Sequence, residues 1–329
     1  MDQSLNVRGK KILVTGGTGF LGRSLVSKLV REGAQVRVLD NDSRGSIASL
    51  GEFRSQVEFI AGDIRDGVAV SRAVQGMDSV CHLAFVNGTK YFYEKPELVL
   101  EVGVKGMMHV LDACREHRVR DLFLMSSSEV YQVPPVVPTP ETVPGVVPDV
   151  QNPRYSYGGG KLISELLAIN YGRVFFDRVI IVRPHNAYGP QMGFEHVIPE
   201  FSMRIKKMIE QDPGKRSYPF KIQGSGLETR SFVFVDDFTD GLFAAYTRGE
   251  HLGIYHVGTE EERSIRDVAH AVAKEFGVTI TIEPGALTQG STPRRCPAIA
   301  KVRALGYEPK VSFEEGVRRT VSWYREQTQ

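Results

Sequence analysis

The sequence predicts an α/β fold: a doubly wound parallel sheet with a smaller C-terminal α/β lobe. Three observations predict it. A continuous apolar run, Ile12-Leu13-Val14, leads directly into three spaced glycines and a helical pattern. Five further strand-like runs follow, separated by segments of helical length. The chain has 329 residues, 41% of them hydrophobic, enough for two packed units.

The first strand reads as buried and parallel because its apolar residues are continuous rather than alternating. Gly16, Gly19 and Gly22 then stand at G-x-x-G-x-x-G spacing, and Leu21, Leu25, Val26 and Leu29 mark the helix behind them. Glycine at such a turn permits the tight bend, lets backbone N–H groups approach a pyrophosphate and allows helix and strand to pack closely. In this strand–turn–helix context the pattern predicts a dinucleotide site. Gly16, Gly19 and Gly22 form it, with Phe20 and Leu21 opening the helix whose N-terminus faces the anion.

The second strand, Gln35–Asp40, ends in an acid 18 residues after Gly22. A carboxylate there accepts hydrogen bonds from both adenosine ribose hydroxyls and repels a 2′-phosphate, which favours NAD over NADP. Arg44, close by, could accommodate a phosphate, and Asp40 could equally begin a surface turn. Residues 57–64 read as the third strand, with Asp63-Ile64 placed to hold an adenine ring. Residues 79–84 form the fourth, followed by a helix over 96–117. Residues 121–127 form the fifth and Arg178–Pro184 the sixth. Ligands of such a sheet lie at the strands' C-terminal ends. Residues 133–148 carry six prolines and read as a stiff loop beside that region.

Tyr157 and Lys161 stand four apart at the start of a helix whose apolar positions are Leu162, Ile163, Leu166, Leu167 and Ile169. Their side chains therefore share a face. Free tyrosine titrates near 10, too high for a base at neutral pH. A neighbouring ammonium and a positive nicotinamide ring are expected to lower it, so that Tyr157 can take a proton from a substrate hydroxyl. The Gly158-Gly159-Gly160 run, costly in a helix at about 1 kcal/mol per glycine, implies close approach of another surface; a frayed helix start is the alternative.

Composition narrows the classes. A net charge of +2 with 24% charged residues gives no pull toward nucleic acid or a membrane surface. Cys81, Cys114 and Cys296 are widely spaced and odd in number, which gives neither metal-ligand spacing nor a disulfide framework. No apolar segment reads as a signal or a membrane span, so a cytoplasmic protein without metal is expected.

Taken together, TGGTGFLG, the strand ending at Asp40, Asp63-Ile64, HLA at 82–84, SSSEVY at 126–131, YGGGK, RPHNAYGP at 183–190 and RSFVFVDD at 230–237 resemble the extended short-chain dehydrogenases/reductases. The resemblance is to the NAD-dependent nucleotide-sugar epimerase/dehydratase group and covers essentially the whole chain. It implies a Rossmann-type sheet from residues 1–184, with 238–262 returning to it. Residues 185–237 and 263–329 would form an interleaved lobe for a nucleoside-diphosphate sugar. It implies that Leu83 and Ala84 join the NAD site, that Ser127 hydrogen-bonds the reacting hydroxyl, and that Lys161 also holds the nicotinamide ribose. Ser128, Asn186, His196, Val197, Arg230 and Arg294 or Arg295 would meet the substrate, the arginines pairing with its diphosphate. Solvated surface charge is the competing role for Arg294 and Arg295. The helices over 96–117 and 157–171 resemble those forming a homodimer contact; their apolar faces would equally suit burial against their own sheet.

Three departures stand out. Gly103 replaces an asparagine usual after the fourth strand, Gln132 replaces a glycine after Val130-Tyr131, and Ala298 replaces an acid.

The resemblance implies a shared first step, oxidation of sugar carbon 4, with several outcomes. Glu129 matches a glutamate that removes the carbon 5 proton in 4,6-dehydratases, so elimination is slightly favoured. Against it, Ser128 stands where dehydratases often carry an acid, and the Ser128-Glu129 pair also resembles uronate decarboxylases. A 4-epimerase or a simple 4-dehydrogenase remains open, as does a structural role for Glu129. A non-catalytic NAD sensor is the other class; such proteins tend to lose the Tyr–Lys pair that this chain retains.

Overall fold

The computed structural model describes residues 4–286 and 292–327; positions 287–291, within the stretch assigned to the lobe, lie outside the described residues, as do both chain ends. The elements run β1 (Lys11–Thr15), α1 (Phe20–Arg31), β2 (Gln35–Asp40), β3 (Val57–Ala61), α2 (Gly67–Val74), β4 (Ser79–His82), α3 (Thr89–Glu94), α4 (Pro96–Leu100) and α5 (Gly106–Glu116). Next come β5 (Asp121–Met125), α6 (Ser156–Val174), β6 (Arg178–Pro184), β7 (Ala187–Tyr188), α7 (Val197–Gln211), β8 (Ser217–Ile222), β9 (Thr229–Ser231) and β10 (Val233–Phe234). The chain ends with α8 (Val235–Arg248), β11 (Gly253–Val257), β12 (Glu262–Ser264), α9 (Ile265–Glu275), β13 (Thr279–Pro284), β14 (Arg294–Arg295), α10 (Ala300–Arg303) and α11 (Phe313–Glu326).

Among the described residues seven strands form one parallel sheet, in the order β11-β6-β5-β4-β1-β2-β3. Alternate residues of each strand feed opposite faces. Ile12, Val14, Val38, Cys81, Phe123 and Ile180 pack with α1 and α8. Leu13, Leu39, Val80, Leu122, Val179 and Ile181 pack with α2, α5 and Ala168 of α6. Burial on both faces explains the uninterrupted apolar strands. The strand order reverses between β1 and β4, so the crevice beyond their C-terminal ends is the natural ligand position.

A second core holds Phe201, Phe220, Val268, Phe313, Val317 and Tyr324, drawn from α7, β8, α9 and α11. β8 pairs with β13 in parallel, and β9 joins β12 to β14. The segment containing Ile299, Val302 and Tyr307 packs on the sheet's core, although the sequence reading put it in the lobe. Its apolar spacing is the same whichever core it meets.

The helix expected over 96–117 runs unbroken from Pro96 to Glu116, with a π-type turn at Glu101–Lys105. Gly103 lies there against Phe85, and a Cβ at Gly103 would fall 2.3 Å from that ring. On α6 the buried face differs from the one read from the apolar spacing. Tyr157, Gly158, Lys161, Ser164, Glu165 and Ala168 face inward, while Ile163 and Leu166 are 41% and 59% exposed.

Candidate active site

A cleft of about 530 Å³ runs along the C-terminal ends of the sheet, from Asp40 and Asp63 past the glycine turn to Tyr157 and Arg295, and on to His196. Its first part is built by the turn after β1. Gly16 takes φ +72°, and a Cβ there would lie 2.7 Å from the backbone of Ala84; one on Gly22 would lie 1.9 Å from the Gly16 carbonyl oxygen. Only glycine permits both approaches. The N-terminus of α1 has no side-chain cap, which leaves the N–H groups of its first turn available to an anion. Asp40 accepts from the N–H groups of Thr18 at 3.0 Å and Asp42 at 2.9 Å. Both carboxylate oxygens keep acceptor capacity for a ribose diol.

This cradle fits NAD. Arg44 does not offer its charge to a 2′-phosphate: it donates to the Asn87 carbonyl, pairs with Glu195 at 3.5 Å and lies over the Tyr91 ring. Asp63 is hydrogen-bonded by Arg65, which holds it at about 2, and its second oxygen also accepts from Asn41. Asp63, Ile64, Leu83 and Ala84 all line the cleft.

At the catalytic end Ser127, Ser128, Glu129, Tyr157, Lys161, Asn186, His196 and Arg295 line one space. Ser127 ends the β5 run and caps the following turn, its hydroxyl accepting from the Glu129 N–H at 3.1 Å. Tyr157 stacks on Phe92 at 4.9 Å and meets the Phe85 edge at 5.1 Å. The expected lowering of Tyr157 is absent from the protein's own field: burial raises the phenol to about 12, opposed by a hydrogen bond with Ser127. Lys161 is turned away, donating to the Met125 carbonyl at 2.6 Å, with its ammonium 3.9 Å from the Phe85 ring centre and 5.9 Å from that of Tyr157. Burial lowers this lysine to about 7. Desolvation therefore outweighs the local attraction that the Tyr–Lys spacing suggested.

Glu129 is an ion-paired carboxylate. Arg295 reaches it at 2.7 Å and Arg154 at 3.3 Å. Burial alone raises its carboxyl, but Arg295 and Arg154, with Arg230 farther off, hold it at about 2. Arg230 is itself largely buried and lowered to about 10, burial first and Arg295 second, with Glu129 and Glu228 opposing. Arg294 lies elsewhere: it grips Glu262 through several hydrogen bonds on the surface and does not line the cleft, nor does Val197 at the first position of α7. Asn186 takes φ +38° and donates to the Ser231 carbonyl.

Gly158, the first of the glycine run, has a local cause. A Cβ on Gly158 would lie 2.4 Å from Gln132 Nε2 and 2.8 Å from the Glu129 carbonyl oxygen. Gln132, at φ +52°, turns the chain after Tyr131 and bonds that same carbonyl at 2.6 Å. Sequence reasoning missed Arg154 and named Gln132 only as a departure. Arg154 sits in the short 3-10 turn Pro153–Tyr155 before α6, and its role depends on a fold that brings that turn beside Glu129.

The glycine turn, the acid-ended second strand and the Tyr–Lys helix converging on one cleft define an extended short-chain dehydrogenase/reductase, an enzyme whose cofactor is NAD. The chain belongs to the NAD dependent epimerase/dehydratase family, which it matches over residues 12–258. UDP-glucuronic acid decarboxylase 1 of Arabidopsis thaliana is 32% identical, over 96% of this chain and 70% of that protein. A dTDP-glucose 4,6-dehydratase of Streptomyces antibioticus is 31% identical, over 96% and 92%. The structure of UDP-glucose 4-epimerase from Thermus thermophilus in complex with NAD superposes with a TM-score of 0.83 at 29% identity, covering 97% of this chain and all of that one. These similarities establish a nucleotide-sugar enzyme of the epimerase, dehydratase and decarboxylase group. Among the described residues no helix is long and apolar enough to cross a membrane.

Proposed function

We propose that this enzyme decarboxylates a nucleoside-diphosphate uronate. The observation that carries the reading is the state of Glu129. A carboxylate held at about 2 between Arg295 and Arg154 is a poor base toward a carbon-bound proton. This weighs against the slightly favoured elimination. Around that one carboxylate stand the guanidinium groups of Arg154, Arg230 and Arg295. Their excess positive charge suits a substrate carboxylate, and Arg295 faces the cleft to receive it. The similarity to a UDP-glucuronic acid decarboxylase supports the same outcome.

In this reading Ser127 hydrogen-bonds the carbon 4 hydroxyl and Tyr157 takes its proton. Bound NAD would supply the hydride chemistry at carbon 4, as acceptor and later as donor. A ketone at carbon 4 makes the uronate a β-keto acid, whose carboxylate leaves as carbon dioxide while the electron pair delocalises into the ketone; carbon 5 of the enolate then takes a proton from water, which restores the ketone for reduction. Arg295 orients that carboxylate, and Tyr157 and Ser127 stabilise the developing oxyanion. Gly16, Gly19, Phe20, Leu21, Gly22, Asp40, Asp63, Ile64, Leu83, Ala84 and Lys161 hold the cofactor; Ser128, Asn186 and His196 contact the sugar nucleotide. Residues 1–184 with 238–262 and the segment from Ile299 to Tyr307 form the cofactor domain, and the lobe around α7, α9 and α11 covers the substrate.

The test is the purified protein with NAD and a panel of uronates and neutral sugars on UDP, GDP, CDP and dTDP, with products followed by mass. Loss of carbon dioxide from a uronate supports the proposal. Loss of water, or an unchanged mass with a new retention time, rejects it for elimination or epimerisation. Leu100, Ile163 and Leu166, exposed on α4 and α6, suit a homodimer contact. The free, buried cysteines suit a reducing cytoplasm.

A further inference from the structure

We propose that Glu165 is a positioning residue of this site, a buried carboxylate that holds the strand end bearing Ser127 and stands one helical turn from Lys161 on the same buried face. The proposal rests on the Tyr157–Lys161 reading above.

Tyr157, Lys161 and Glu165 stand at successive turns of α6 and form its buried face. Two of them tie the helix to the end of β5. Lys161 donates to the Met125 carbonyl at 2.6 Å, and the hydroxyl of Ser126 donates to Glu165. Ser126 immediately precedes Ser127, so the serine meant to meet the reacting hydroxyl is placed by a bond to α6. Glu165 is held in turn by Arg183 from β6, through Nε at 2.9 Å and Nη2 at 2.6 Å. Arg183 also donates to the Tyr131 hydroxyl and, at 3.3 Å, to the Glu141 carbonyl; Tyr131 meets His256 at 2.7 Å. Carboxylate and guanidinium are each about 95% buried. A buried pair of this kind adds little net stability compared with apolar packing. Its use lies in position and field.

The groups facing Lys161 are few. Tyr157 and Glu165 come from α6, the Phe85 ring from the loop after β4, and His82 from the end of β4. His82 accepts from or donates to Thr15 at 2.8 Å and stays neutral, lowered to about 3 by burial first and Lys161 second. Among the described residues Glu165 is the carboxylate whose field raises Lys161 against burial. Arg183 binds both carboxylate oxygens, one of them shared with Ser126, and so tempers that field.

The test compares wild type and Glu165→Gln, both loaded with NAD, by titrating Lys161 in ¹³C-lysine NMR and by the pH profile of kcat. Loss of the carboxylate charge should lower the Lys161 midpoint by about one pH unit, a tenfold change in proton affinity. The alkaline limb of kcat should move down with it while KM for the nucleotide sugar holds. A midpoint and limb that stay in place in a folded Glu165→Gln protein overturn the proposal. Because NMR reads Lys161 directly, a wrong choice of sugar substrate leaves this test intact. Should Glu165→Gln not fold, Ser126→Ala keeps the Arg183–Glu165 pair and removes only the link to the strand. It should reduce kcat about tenfold, the worth of a hydrogen bond to a charged group, at constant KM and an unmoved Lys161 midpoint. An unchanged kcat in Ser126→Ala overturns the positioning role.

Discussion

Replacing Arg295 by Met removes the closer of the two partners of Glu129 and leaves Arg154, at 3.3 Å, as its nearest cation. The magnitude follows from the carboxyl's displacement. Movement from 4.5 to about 2 corresponds to about 3 kcal/mol of stability carried by the ionised form. The folded pKa lies below the unfolded one, so this stability is fully present above about pH 4.5 and is lost as the pH falls toward 2. In Arg295→Met burial prevails and the carboxyl rises. Urea unfolding should then show the variant about 3 kcal/mol weaker near pH 7, the range for breaking a buried pair. The gap should narrow steadily below pH 4.5. On a uronate substrate, loss of a charge-assisted contact to the carboxylate should cut kcat/KM by about 10- to 100-fold. A gap independent of pH would refute the electrostatic account of Glu129. Unchanged kcat/KM on a uronate would refute Arg295 as the carboxylate's partner.

Other perturbations test the remaining parts. Tyr157→Phe should lower kcat by about 10²- to 10⁴-fold, as expected for a lost acid–base group, while NAD affinity measured by fluorescence quenching stays within a few fold. Gly22→Ala places a methyl carbon 1.9 Å from the Gly16 carbonyl oxygen. Calorimetry should show a lower melting temperature and NAD binding weakened by at least tenfold; an unchanged NAD affinity would mean the turn is not the pyrophosphate site. Leu166→Glu puts a charge on the exposed face of α6. Light scattering should show it monomeric at concentrations where the native chain is dimeric, and a native chain already monomeric would remove that interface.

Much of the fold was readable from local pattern. β2 and β6 fall where their apolar runs predicted, and β1 and α1 flank the glycine turn as expected. Two features were not readable from local pattern. Of the apolar positions of α6, Ile163 and Leu166 lie exposed while Leu167 and Ile169 pack on the core, and the helix over 96–117 carries a π-type turn. In the fold α6 turns a face of tyrosine, glycine, lysine and glutamate inward, because buried partners satisfy those groups: Met125, Ser126 and Arg183. Likewise Phe85 fills the space beside Gly103, and the backbone widens into a π-type turn there. A pattern of apolar residues records burial by hydrophobic contact and is blind to burial by hydrogen bond and ion pair.

The sequence by itself determined the sheet, the glycine turn, the acid that ends β2 and the Tyr–Lys pair, since each depends on neighbours within a few turns of chain. Tertiary structure decided the electrical state of the site. Glu129 and Arg295 are 166 residues apart, yet their contact at 2.7 Å turns a candidate base into a fixed anion. Lys161 lies buried against the Phe85 ring, and burial sets its proton affinity more than the neighbouring tyrosine does. Proton affinities depend on distance and dielectric, and neither exists until the chain has folded.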